Sequence, residues 1–152
     1  MDSVFEKLNL NPDGELISDC STRTLAFCLK MDSADGYRKL RQLQENIAVA
    51  VCSKKSDWNA LYVAEAILLS RGWFKVIFPG KIQRKRLAEL MARFPAKIFT
   101  SSYRHVSPIY KGKVWDTWDC SKGKVTSMLA PLENSSKILR KLKAEKINYV
   151  LE

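Results

Sequence analysis

Three features of the chain predict an α+β fold. Its 152 residues suit one domain with a single core. The first part is patterned for helices. After residue 96 the chain turns into short strands joined by tight turns, as in an antiparallel meander. Residues 47–100 taken alone read as strand–helix–strand–helix–strand, which would suggest a parallel sheet. The short connections further on favour the α+β frame instead: one domain over 1–152, with helices packed on an antiparallel sheet.

The elements follow in order. Asn11-Pro12-Asp13-Gly14 is a turn. Ser18, Asp19 and Ser21 are all N-cap types, so a helix begins near Cys20, with Leu25, Cys28 and Leu29 on its inner face. A second helix runs from Ser33 or Asp35 to about Gln44, with Tyr37, Leu40 and Leu43 on one side and Gly36 weakening its first turn. Ile47 to Cys52 is a short apolar run, strand or buried helical turn. Ser56 or Asp57 caps a buried helix to Leu69, and Gly72 follows as a C-terminal glycine. Trp73 to Phe78 is a strand closed by Pro79-Gly80, and Ile82 to Phe94 is an amphipathic helix ended by Pro95. Lys97 to Thr100 starts the strands. Val106–Tyr110 and Lys113–Trp118 flank Lys111-Gly112, a hairpin signal. Val125–Leu129 is a further strand, Asn134 or Ser135 caps a helix to about Lys146, and Ile147–Leu151 is a last strand.

The composition, 46% apolar and 28% charged, is that of an ordinary globular protein. No apolar run approaches the roughly 20 residues of a membrane helix. Met1 to Glu6 lacks the pattern of a secretory signal, so the expectation is a cytoplasmic protein with free thiols. Cysteines 20, 28, 52 and 120 form no Cys-x-x-Cys pair and there is one histidine, so neither a metal nor a cofactor is expected. The net charge of +10 favours an acidic partner. The basic residues cluster on two predicted helices, where Arg84, Lys85, Arg86, Arg140, Lys141 and Lys143 form a candidate, weak nucleic-acid footprint. A solvated helix face accounts for the same residues. No stacking aromatics are interleaved with them, as a single-strand platform would need.

The chemistry-bearing residues come in a telling order: Cys20 at a helix start, the lone His105 at the start of a strand, then Asp116 and Asp119 on the return strand. A thiol hydrolase needs a nucleophile, a base and a group that orients the base. A helix N-terminus and a nearby imidazolium both stabilise a thiolate, and free N–H groups there can bind an oxyanion. If Lys111-Gly112 is a two-residue loop, Tyr110 pairs with Lys113, Ser107 lies opposite Asp116 and His105 opposite Trp118. Side chains alternate along a strand, so His105 and Asp116 share a face and Asp119 lies on the other. Asp116 is therefore preferred as the orienting acid, with Asp119 as the alternative. A one-residue slip would reverse the choice. The bland reading gives a buried cysteine, a structural histidine and two turn acids. Cys52 before a helix lacks the arginine of a phosphatase loop, since Trp58 stands there. Gly80-Lys81 lacks the upstream glycine of a P-loop.

Asp19-Cys20-Ser21-Thr22-Arg23-Thr24-Leu25-Ala26 resembles the Asp-Cys-x-x-Arg-Ala-Leu-Ala motif of small papain-like cysteine peptidase domains encoded by bacteriophages and mobile elements. His105 to Ser121, with Trp115-Asp116-Thr117-Trp118-Asp119 on the return strand, is similar to the second half of that pattern. Thr24 departs from the usual alanine, and Ser107-Pro108 stands where apolar strand residues are usual. Proline cannot donate to a ladder, so that strand tolerates a gap or lies at an edge. The resemblance implies a papain-like α+β fold, Cys20 as nucleophile, His105 as base, Asp116 as orienting acid, and a protein or peptide substrate. Asn9 and Asn11 are both spaced to supply an oxyanion donor, and nothing selects either. The competing reading is a basic accessory protein that binds nucleic acid or a host protein without catalysis.

Overall fold

A computed structural model describes residues 4–14, 19–51, 54–102 and 104–152. The elements are β1 (Phe5–Lys7), α1 (Cys20–Cys28), α2 (Ala34–Ala50), a short 3-10 helix (Lys55–Asn59), α3 (Leu61–Ser70), β2 (Trp73–Gln83), α4 (Arg84–Leu90), β3 (Ile98–Ser101), β4 (Val106–Tyr110), β5 (Lys113–Asp116), β6 (Lys124–Pro131), a second 3-10 turn (Leu132–Asn134), α5 (Ser135–Ala144) and β7 (Val150–Leu151). They build one seven-stranded sheet in the order β1-β5-β4-β3-β6-β2-β7.

Alternation along the strands divides the core between the two faces of the sheet. Phe99, Val106 and Leu129 join one cluster with Leu25, Leu40, Ala64, Ile67 and Leu68, which come from α1, α2 and α3. Ile98, Met128 and Ala130 join the other, with Leu87, Ala88, Ile138 and Leu142 of α4 and α5. Neighbouring strand residues thus feed opposite helical layers, as the two-residue period of a strand requires.

The α+β class is as expected, but the sheet is mixed rather than antiparallel. β1 pairs with β5 in parallel, Phe5 against Val114 and Lys7 against Asp116. Three residues are too short for a periodicity to show. The Ile47 run is helical through Ala50, as the last turn of α2, while Cys52 and the candidate cap Ser18 lie outside the described residues. The helix expected from Ser56 or Asp57 to Leu69 is two pieces. The Asp57 carboxylate accepts from Lys54 N–H at 3.1 Å, and Ala60 is extended at φ −67°, ψ 144°, so the helix restarts at Leu61. β2 does not close at Pro79-Gly80. It continues to Gln83 through a register shift, and Ile82 and Gln83 pair with Val125 and Lys124. The helix expected from Ile82 therefore starts at Arg84.

The hairpin turn forms as read, while the return strand ends at Asp116 rather than Trp118 and the pairing does not extend to Ser107 or His105. Tyr110 pairs with Lys113 and Ile109 with Val114. Lys111 at φ 51° and Gly112 at φ 77° are both left-handed, as a two-residue type I′ turn demands. Gly36 is also positional: a Cβ there would stand 2.5 Å from the Met31 carbonyl oxygen. No helix among the described residues is long and apolar enough to cross a membrane.

Candidate active site

α1 begins at Cys20 with Asp19 as its N-cap residue, but the Asp19 side chain does not cap it. It turns inward and is fully buried. One oxygen accepts from Arg23 Nε at 2.7 Å, and the other from Asn11 Nδ2 at 3.2 Å and from the Tyr37 hydroxyl. The first N–H groups of α1 are thereby left to other partners. Ser21 N–H donates to Asn59 Oδ1 at 3.3 Å.

β4 and β5 bring the histidine to this helix start. His105 Nε2 lies 2.5 Å from Asp116 Oδ2. Asp116 Oδ1 accepts from Arg23 Nη1 and from Thr117 N–H, both at 2.7 Å. With Nε2 committed to Asp116, Nδ1 is the ring nitrogen left for a thiol. Cys20 lines one cleft with His105 and Val106, and the His105 side chain and the Val106 N–H both favour its anion. Cys20, His105 and Asp116 thus stand together in chain-distant succession. The Trp118 ring lies 4.9 Å from the imidazole, centroid to centroid, although the β4–β5 pairing stops short of both residues.

Asp119, the alternative acid, is exposed and accepts from Ser121 N–H at 3.0 Å, away from the imidazole. Pro108 sits in a central strand, not at an edge. The β4–β5 pairing covers Ile109 and Tyr110, so the ladder opens where Pro108 has no N–H to give.

The electrostatics favour a charged pair. Burial opposes ionisation of the Cys20 thiol, but the hydrogen bonds from His105 and Val106 N–H and the charges of His105 and Arg23 outweigh it, and its pKa falls below the ordinary thiol value. Burial likewise opposes the imidazolium. The hydrogen bonds to Asp116, Cys120 and Cys20 outweigh that, and the His105 pKa is pushed up to about 11. Asp116 is held down at about 2 against the cost of burial, chiefly by His105 and Arg23. The two shifts run in opposite directions, down for the thiol and up for the imidazole, and both favour the charged forms.

Two residues that the sequence reading placed elsewhere, or missed, complete the surroundings. Arg84 is not part of a surface footprint. It is 1% exposed, and its guanidinium donates to Thr100 Oγ1 at 2.9 Å, to the Cys120 carbonyl at 3.2 Å and to the His105 carbonyl at 3.3 Å. It braces the backbone on both sides of the histidine-bearing hairpin. Lys85, Arg86, Arg140 and Lys143 are exposed and Lys141 is half-buried. Arg86 and Lys141 both pair with Glu145, so the two basic clusters share one face.

The other is Asn59, at the end of the first 3-10 helix. It lines a cleft with Cys20, Leu61, Ser102, Arg104, His105 and Val106. A backbone N–H can only donate, so the atom facing Ser21 N–H is the Asn59 oxygen. That oxygen also accepts from the Ser21 hydroxyl, which in turn accepts from Gln44 Nε2 at 2.9 Å. The Asn59 amide nitrogen is therefore the end left for the cleft. Asn11 spends its amide on Asp19 and its oxygen on Asp13 N–H, and Asn9 accepts from Asn11 N–H. Neither lines the cleft.

His105, Asp116 and the buried Cys120 also carry possible metal-ligand atoms within 4.8 Å of one another. The Cys120 thiol, donating at 3.4 Å, and the imidazole Nε2 already share Asp116 Oδ2, and the Arg23 and Arg84 guanidinium groups stand beside them. That surrounding positive charge disfavours a cation.

No protein-family model, no curated protein and no solved structure matches the chain.

Proposed function

We propose that the chain is a papain-like thiol hydrolase that cleaves a peptide, isopeptide or side-chain amide bond. The observation that carries this reading is the 2.5 Å contact of His105 Nε2 with Asp116, made by a ring that lines one cleft with the Cys20 thiol at a helix start. A buried structural histidine has no need of that second neighbour.

The chemistry then runs in two halves. The Cys20 thiolate attacks the carbonyl carbon, and the carbonyl oxygen takes the negative charge. The Cys20 N–H at the start of α1 and the Asn59 amide, both from residues that line the cleft, are the donors assigned to it. The His105 imidazolium gives its proton to the leaving nitrogen as the C–N bond breaks, which leaves a thioester. Water then loses a proton to the neutral imidazole while its oxygen attacks the thioester carbonyl, and the C–S bond breaks to restore the thiolate. Asp116 holds the ring so that Nδ1 faces the sulfur throughout. With a primary amide the first product is ammonia and the reaction is deamidation. With an amine in place of water it is acyl transfer.

An epoxysuccinyl peptide tests this reading, because its ring opens only on an activated thiolate with a proton donor nearby. At pH 6.5 the wild-type chain should gain one adduct, on Cys20, and His105→Ala should gain little. Adducts spread over several cysteines, or an undiminished Cys20 adduct in His105→Ala, would sink the proposal.

A further inference from the structure

Arg23 stands three residues beyond Cys20, in the next turn of α1. Its side chain is 11% exposed and lies between two carboxylates that are buried almost completely. Nε meets Asp19 at 2.7 Å and Nη1 meets Asp116 at 2.7 Å. The planar fork of a guanidinium fixes the angle between these two contacts; an ammonium on a flexible stem would not. Asp19 is itself clamped by Asn11 and Tyr37, so the fork has a fixed base. The result is an alternating line of charge from Asp19 through Arg23, Asp116 and His105 to Cys20.

The geometry has a purpose that a surface ion pair would not serve. Asp116 has two oxygens and four neighbours. Arg23 and Thr117 N–H take Oδ1, which leaves Oδ2 turned to His105 and Cys120. Without Arg23 the carboxylate is held on that side by Thr117 alone, through its N–H at 2.7 Å and more weakly its hydroxyl at 3.4 Å, and has lost its only charged partner there. Arg23 also joins the helix that carries the nucleophile to the strand that carries the acid, across a sequence separation of 93.

We propose that Arg23 is a positioning residue for the triad: braced by Asp19, it orients the Asp116 carboxylate toward His105 and locks the Cys20 helix to the acid-bearing strand. This rests on the thiol-hydrolase reading and deepens it.

The test uses the full chain and iodoacetamide, with the Cys20 adduct followed by mass spectrometry across pH 4–9. Arg23→Met alone would strand a buried carboxylate, so the variant is Asp19→Asn/Arg23→Met, with Arg23→Lys beside it. If Arg23 positions the acid, the acid limb of the Cys20 profile moves up by about one pH unit in the double variant, an alkylation rate about tenfold lower at pH values below the limb. Arg23→Lys, which keeps the charge and loses the fork, moves it in the same direction. A merely structural arginine would change the melting temperature and leave the limb where it is. Superimposable profiles for wild type and either folded variant would overturn the proposal. If the double variant fails to fold, Arg23→Lys alone decides by the same criterion. Should wild-type Cys20 react no faster than the other cysteines, the hydrolase reading itself falls, an outcome distinct from an unmoved limb.

Discussion

Cys20 and Cys28 stand at the two ends of the same nine-residue helix, and they have opposite chemistry. Cys28 lies inside the helical layer among Leu25, Leu40 and Phe99, and burial pushes its thiol well above the ordinary range, with Lys97 only partly opposing it. Cys20 is partly buried too, yet its pKa falls, because His105, Val106 N–H and Arg23 all favour the anion. The helix supplies its positive end to one and its negative end to the other. The difference teaches that what favours the anion at Cys20 comes from the hairpin that meets the helix start, not from the cysteine alone.

The sharpest way to break this comparison is to measure both thiols in one sample. With iodoacetamide at pH 6, Cys20 should alkylate at least about 100-fold faster than Cys28, since its pKa is lowered and it lines the cleft, while Cys28 is buried with a raised one. In guanidinium the two rates should converge to within about threefold. A native ratio near one would mean that the hairpin does not act on Cys20.

A second test removes the group on which the hairpin's influence depends. Asp116→Asn leaves Arg23 and His105 facing a neutral amide in a buried site, and breaking a buried pair in this way costs roughly 3–5 kcal/mol. The sign of the pH dependence follows from the shift. Asp116 is lowered from 3.8 to about 2, so its contribution is fully present above 3.8 and is lost as pH falls through 2. Urea melts should therefore show a wild-type advantage at pH 6 that shrinks toward pH 2. An advantage that is constant from pH 6 to pH 2 would place the effect in packing rather than charge.

How much of this was legible beforehand depended on how local the determinant was. The hairpin register follows from Lys111-Gly112, two adjacent residues that accept positive φ, and with it the choice of Asp116 over Asp119. The start of α1 at Cys20 was legible from its cap residues, although Asp19 serves the interior instead of the cap. β1 was not legible, because three residues carry no period and their partner β5 lies over 100 residues away. Asn59 was not legible either: its role depends on the 3-10 turn meeting the α1 terminus, which no spacing rule encodes. Arg84 did leave a signal. It lies three, four and seven residues before Leu87, Ala88 and Met91, all buried, so the helical period already placed it on the inner stripe despite its charge.

That arginine gives the smallest effect and the finest form of the comparison, since Arg84 and Arg86 lie two residues apart in one basic run and face opposite ways. Arg84 is committed to three internal acceptors, while Arg86 is half-exposed and pairs loosely with Glu145 at 3.5 Å. If the shared face of α4 and α5 meets duplex DNA, the log of the binding constant falls linearly with the log of salt concentration, and each lost phosphate contact lowers the slope by about 0.9. Arg86→Ser should reduce the slope by that amount with little change in stability. Arg84→Met should leave the slope alone and lower the melting temperature, because it abandons Thr100, Cys120 and His105. A folded Arg84→Met chain whose slope falls as far as that of Arg86→Ser would show that this guanidinium reaches solvent, contrary to its burial. A wild-type slope near zero would remove phosphate as the partner of the basic face and leave its charge to an acidic protein or to solubility.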